Sequence, residues 1–165
     1  MIDMNKTAIY PGTFDPITNG HVDVIERACE MFDHVHVVIA VNSKKQTLFS
    51  EEERLVMIRE SLKHLENVSV IAHHQLTVDI ARDTGAVAIV RGIRAVSDFE
   101  YEFQIALMNR KLEPNIYTVF LTPHEKYTYL NSSIVREMAS YGKFAEDFVP
   151  PIVVEALKKK FESKS

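Results

Sequence analysis

Apolar residues fall into two alternating rhythms along this chain. Ala8-Ile9-Tyr10 is a short apolar run cut off by Pro11-Gly12, and a polar loop from Thr13 to Asn19 follows. Val22, Ile25, Ala28, Cys29 and Phe32 then recur at helical spacing. Val35 to Val41 is β-branched and nearly continuous, which predicts a strand covered on both faces. Ser50-Glu51-Glu52-Glu53 has the capping-box pattern and opens a helix through Leu55, Ile58 and Leu62. Val68 to Ala72, Val87 to Val90 and Ile116 to Leu121 read as further strands. Between them, Thr77 is a candidate cap for a helix to Thr84 that Gly85 stops. Ser97 is a candidate cap for a longer helix to Leu112, broken by Pro114-Asn115. Ser132 opens a short helix to about Tyr141, and Pro150-Pro151 opens a last one ending in Lys158-Lys159-Lys160.

The strict alternation predicts an α/β fold: a doubly wound, five-stranded parallel sheet with helices on both faces. The chain has 165 residues, so 1–165 reads as a single domain. Composition adds exclusions. With 46% hydrophobic and 25% charged residues it is neither a disordered nor a fibrous chain. A net charge of −4 argues against a bulk nucleic-acid binder. One cysteine, Cys29, excludes an internal disulfide framework. No apolar run is long enough to span a membrane, and Met1 to Thr7 lacks a signal-peptide core. A cytoplasmic location is the expectation.

In doubly wound sheets, ligands bind where loops leave the carboxyl ends of strands. The first such loop runs from Tyr10 to His21. Its glycines, Gly12 and Gly20, permit close backbone approach, and the following helix offers free N–H groups suited to phosphate. Thr13 and His21 add donors; the helix dipole disfavours an imidazolium there and a bound phosphate favours it, so both charge states stay open. The loop after the second strand carries Lys44 and Lys45, point charges for phosphate or merely solvated lysines. Arg91-Gly92-Ile93-Arg94 follows the fourth strand, as a phosphate fork or a surface ion-pair network. Tyr129 to Arg136 follows the fifth, with serines that suit either phosphate or a plain helix cap. Each loop is ambiguous alone, but four of five strand ends share one chemistry.

Other chemistries lack their signatures. The chain has no P-loop, no G-x-G-x-x-G and no G-x-S-x-G. His73 and His74 are adjacent on a strand exit and diverge if extended, a poor metal pair. His34 and His36 share a strand face without a third ligand nearby.

These strings resemble the nucleotidylyltransferase superfamily. Its [HT]-x-G-H element reads Thr18-Asn19-Gly20-His21, and its I-S-S-[ST]-x-x-[RK] element reads Leu130 to Arg136. Within it, Tyr10 to His21, Arg91 to Glu102 and Met108-Asn109-Arg110 are similar to the bacterial phosphopantetheine adenylyltransferases. The resemblance implies a Rossmann-like fold and transfer of the adenylyl group of ATP to 4′-phosphopantetheine. The products are then dephospho-coenzyme A and pyrophosphate. It also implies Mg²⁺, a homohexamer, feedback inhibition by coenzyme A, and neither nucleic-acid nor membrane partners.

Position by position, the resemblance gives catalytic roles to His21, Thr13, Lys45 and Arg91. ATP contacts fall on Thr13, Phe14, His21, Gly92, Ile93, Arg94, Glu102 and the closing loop Tyr127, Thr128, Tyr129, Leu130, Asn131, Ser132 and Ser133. Phosphopantetheine contacts fall on Thr13, Lys45, Thr77, Arg91 and Asn109. Mg²⁺ is held mainly by the ATP phosphates. One departure is Asn131 where the signature's first serine is usual, and it puts one hydrogen bond in question.

The implied nucleophile is already an anionic phosphate. Catalysis then needs positioning and charge stabilisation rather than a strong base or a covalent intermediate. Three rivals remain open at this stage. They are another acceptor such as nicotinamide mononucleotide or glycerol phosphate, an aminoacyl-tRNA synthetase relative, and a non-catalytic nucleotide sensor. The short stretch after Arg136 leaves no room for a tRNA-binding domain.

Overall fold

The computed structural model describes residues 5–41 and 46–162, apart from the Ser97 side chain. Its strands are β1 (Thr7–Gly12), β2 (His34–Ala40), β3 (Val68–His73), β4 (Ala88–Gly92) and β5 (Tyr117–Leu121). They form one all-parallel sheet in the order β3-β2-β1-β4-β5. The helices are α1 (Asn19–Met31), α2 (Glu51–Ser61), α3 (Thr77–Asp83), α4 (Val96–Leu112), α5 (Ser132–Ser140) and α6 (Pro151–Glu162). This is the doubly wound fold that the alternation predicts.

The strands alternate their side chains between two cores. Val35, Val37 and Ile39 join Val24, Ile25, Met57, Ile58, Val135 and Leu157 on the face of α1, α2, α5 and α6. Ile9, Val38 and Ile89 meet Val78, Ile80 and Ala81 of α3 on the other face. Both faces are covered, so the strands read as near-continuous apolar runs.

Local differences from the sequence pattern have physical reasons. Strand β1 does not stop at Tyr10; Pro11 and Gly12 continue it, opposite Val38 and Ile39. Proline is tolerated there because β1 pairs with β4 only through Ala8–Ala88 and Ile9–Ile89, so no ladder toward β4 needs its missing N–H. Thr77 is the first helical residue of α3 rather than its cap; Leu76 holds the cap position without a side-chain bond. Helix α4 begins one residue before Ser97, and Ala95 holds its cap position, again without a side-chain bond. Gly85 takes a positive φ of 68° just past α3, a stop that glycine adopts without strain. The Ser50–Glu53 capping box forms as the sequence predicts, with bonds of 2.8 and 3.1 Å.

Candidate active site

The order β3-β2-β1-β4-β5 puts the reversal of winding between β1 and β4. Strand β1 stays paired with β2 as far as Gly12 but leaves β4 after Ile9. A cleft of about 270 Å³ opens at this divergence. Thr13, Phe14, His21, Arg91, Arg94 and Glu102 line it, together with Gly92, Tyr127, Leu130, Asn131 and Ser132. Three of the four loops expected to converge, those after β1, β4 and β5, therefore share a single cavity; the lysines of the loop after β2 lie outside the described residues.

His21 is the third residue of α1, and its ring closes a capping box with Thr18. The Thr18 backbone N–H donates to His21 Nδ1 at 3.0 Å. Nδ1 must then carry a lone pair, so the neutral ring keeps its proton on Nε2. Burial, aided by the positive charge of Arg94, lowers the His21 pKa from 6.5 to about 4. At neutral pH this environment thus favours an uncharged Nε2–H donor of fixed tautomer. The Phe14 ring packs edge-on against it, 5.1 Å between centroids. Gly12 is required beneath that ring: a Cβ there would lie 2.9 Å from Phe14 Cζ. Gly20 is under no such pressure, since its nearest neighbour would be in ordinary contact at 3.4 Å.

Arg91 leaves β4 and meets Glu102 of α4 through two bonds, 2.6 Å from Nε and 2.7 Å from Nη2. Its Nη1 donates to the Pro11 carbonyl at 3.0 Å. One N–H on each terminal nitrogen remains for an anion. Burial works against the Arg91 charge, and the Glu102 carboxylate more than offsets it, raising its pKa. Glu102 therefore faces the cleft as the partner of an arginine. Arg94 pairs with Asp98 at 3.0 Å and donates to the Leu130 carbonyl at 2.9 Å, tying the closing loop to β4.

Two helix N-termini also point here. Asn131 caps α5 by accepting from the Ile134 N–H at 2.8 Å, so asparagine supplies the cap where the signature has serine. Ser132 is the first helical residue, and its hydroxyl donates to the Pro16 carbonyl at 2.8 Å. The Ser132 and Ser133 N–H groups find no acceptor among the described residues, nor does that of Gly20 in α1. Such free donors suit phosphate oxygens.

Three residues outside the sequence-derived set shape the site. Asp15, 3% exposed, accepts from the Leu48 and Phe49 N–H groups at 2.8 and 2.9 Å, joining the loop after β1 to the segment entering α2. Arg54 of α2 donates to the Thr13 carbonyl at 2.9 Å. Arg136 of α5 donates to the Asp15 carbonyl at 2.5 Å. With Arg91 on Pro11, guanidinium groups from three elements hold carbonyls 11, 13 and 15 of one loop. Arg136 ends the signature string and was visible in it; Asp15 and Arg54 act through backbone contacts that spacing does not reveal.

The remaining expected residues are placed differently. Ile93, Thr128 and Tyr129 belong to the surrounding loops and Ser133 to the first turn of α5, and none of the four lines the cleft; Tyr129 is 88% exposed. Thr77 opens α3, and Asn109 is buried on α4; neither lines the cleft. Lys45 and its neighbour Lys44 lie outside the described residues. Among the described residues no cluster of three or more His, Cys, Asp or Glu side chains is arranged to hold a metal. The one carboxylate in the cleft lining, Glu102, is already engaged with Arg91. The described residues therefore offer no carboxylate or imidazole cluster suited to a resident metal.

Comparison with known proteins places the chain in a family. Residues 9–138 match the cytidylyltransferase-like family. A phosphopantetheine adenylyltransferase from Desulforudis audaxviator (strain MP104C) is 56% identical over 156 residues, 94% of this chain and 96% of the relative. A crystal structure of a candidate nicotinate-nucleotide adenylyltransferase from Vibrio parahaemolyticus superposes with a TM-score of 0.68. It covers 93% of this chain and 99% of its own at 22% identity, a likeness of fold. The chain belongs to the cytidylyltransferase-like family and, within it, to the phosphopantetheine adenylyltransferases.

Proposed function

We propose that this protein transfers the adenylyl group of ATP to 4′-phosphopantetheine, giving dephospho-coenzyme A and pyrophosphate, the penultimate step of coenzyme A synthesis. The observation that carries the proposal is the β1–β4 cleft itself. In it a fixed-tautomer His21 donor, two arginines and two helix N-termini converge. The near full-length identity to a protein named for this activity selects the acceptor.

The acceptor phosphate oxygen forms a bond to the α-phosphorus, and the bond from that phosphorus to the bridging oxygen breaks. Pyrophosphate leaves with the electron pair, and no proton transfer is needed at the nucleophile. Thr13 and the free N–H groups of Arg91 hold the acceptor phosphate, with Lys45 as a further cation. His21 Nε2–H donates to a non-bridging α-phosphate oxygen, where charge rearranges at the transition state. Gly92, Arg94 and Glu102 frame the nucleotide, and the Ser132 and Ser133 N–H groups receive the departing phosphates. Mg²⁺, if carried on the triphosphate substrate, would supply neutralisation of charge on the leaving group. Bringing the two polyanions into line is worth up to ~7–11 kcal/mol of the barrier.

The proposal extends to a cytoplasmic homohexamer with coenzyme A as feedback inhibitor. Support for assembly comes from α4, which exposes Phe99, Tyr101, Phe103, Leu107, Met108 and Leu112. Among the described residues no helix is long and apolar enough to cross a membrane.

An acceptor screen tests the activity. Pyrophosphate release from Mg-ATP is expected with 4′-phosphopantetheine and not with nicotinamide mononucleotide or glycerol phosphate. Release with one of the latter alone would reassign the acceptor. No release with any, while ATP still binds, would favour the nucleotide sensor.

A further inference from the structure

Arg54 is the one member of the loop-holding arginine trio whose described partners are all backbone carbonyls. It is 4% exposed, yet no carboxylate among the described residues lies within ion-pair distance. Nη1 donates to Thr13 at 2.9 Å and Nε to Ser50 at 3.3 Å. A buried guanidinium without a carboxylate is costly, so what it holds in place matters.

What it holds is the peptide joining Thr13 to Phe14. That peptide is trans, so its carbonyl and its N–H point in opposite directions. Arg54 does not line the cleft, whereas Thr13 and Phe14 do. The carbonyl is therefore turned toward α2 and the Phe14 N–H away from it, where no described group accepts it. Phe14 has a φ of 49°, in the left-handed region that a bulky residue adopts only at a cost. Flipping this one peptide would carry φ to roughly −130°, into the unstrained extended region. The same flip would withdraw the N–H and present a carbonyl oxygen to phosphate. Relief of strain and loss of the donor are thus a single motion, and the Arg54–Thr13 bond opposes it.

We infer that Arg54 is a positioning residue that locks the Thr13–Phe14 peptide with its N–H presented to a nucleotide phosphate. The inference rests on the adenylyl-transfer function proposed above.

The test compares wild type, Arg54→Gln, Arg54→Lys and Met57→Ala. Met57 is a buried residue of the same helix and serves as a control for lost stability alone. Arg54→Gln is expected to weaken ATP binding by calorimetry about tenfold or more, and to lower kcat, with the phosphopantetheine KM changed by less than about twofold. Arg54→Lys is expected to recover part of the loss. The assignment is overturned if folded Arg54→Gln binds ATP as wild type does. It is also overturned if the KM values for both substrates rise together, or if Met57→Ala reproduces the ATP defect. Should Arg54→Gln fail to fold, Arg54→Lys decides: ATP binding weakened severalfold supports the role, and wild-type binding refutes it. Absence of wild-type turnover would count against the proposed function alone, because ATP binding reports on Arg54 without any acceptor.

Discussion

His21 shows how one side chain acquires a defined chemical state from local structure. The Thr18 N–H fixes the acceptor nitrogen, and burial removes the charge. A consequence appears in stability. The folded pKa, about 4, lies below the usual 6.5, so between these values the unfolded chain binds more protons. The contribution is complete above pH 6.5 and is lost as pH falls toward 4, amounting to about 3 kcal/mol at most. Thermal unfolding of wild type should therefore drop more steeply than that of His21→Ala as pH is lowered from 6.5 to 4. Parallel curves would contradict the buried neutral ring. The motif that carries His21 was legible in the sequence; its tautomer was not, because that depends on a backbone N–H three residues earlier.

At the scale of elements, the loop after β1 is built by its neighbours more than by its own sequence. Asp15 bridges it to the entry of α2 through two backbone bonds, and arginines from β4, α2 and α5 hold its carbonyls. Asp15→Ala would leave two backbone donors without their acceptor. We expect a loss on the order of 2–4 kcal/mol in denaturant unfolding, with Asp15→Asn retaining part of it. A loss below about 1 kcal/mol in Asp15→Ala would show that the bridge is dispensable. Spacing located the strands to within a residue or two and found the Ser50 capping box outright. It misplaced the ends of β1 and the caps of α3 and α4. Those errors share a cause. Pro11 continues β1 because β4 has already diverged, and Leu76 and Ala95 hold the cap positions of α3 and α4 without side-chain caps. Tertiary divergence and uncapped starts leave no mark in local sequence.

For the whole molecule, alternation of the two rhythms was enough to fix the doubly wound class, since both faces of a parallel sheet must be covered. The position of the cleft needed the strand order, and the order placed it between β1 and β4. The exposed apolar residues of α4 bear on assembly. Phe103→Glu on this helix should reduce the proposed hexamer to smaller species by light scattering, while a wild-type mass unchanged by the substitution would place the interface elsewhere. The central claim, however, is that the cleft stabilises charge through a neutral His21 donor. Its most direct test is pyrophosphate release from Mg-ATP, with and without 4′-phosphopantetheine, for wild type and His21→Ala, alongside the ATP affinity of each. Release is predicted to need the acceptor. His21→Ala is predicted to lower kcat by about a hundredfold or more and to shift ATP affinity by only a few fold. A variant that loses ATP binding and kcat in equal measure would contradict a transition-state role for His21, and acceptor-independent release would contradict adenylyl transfer itself.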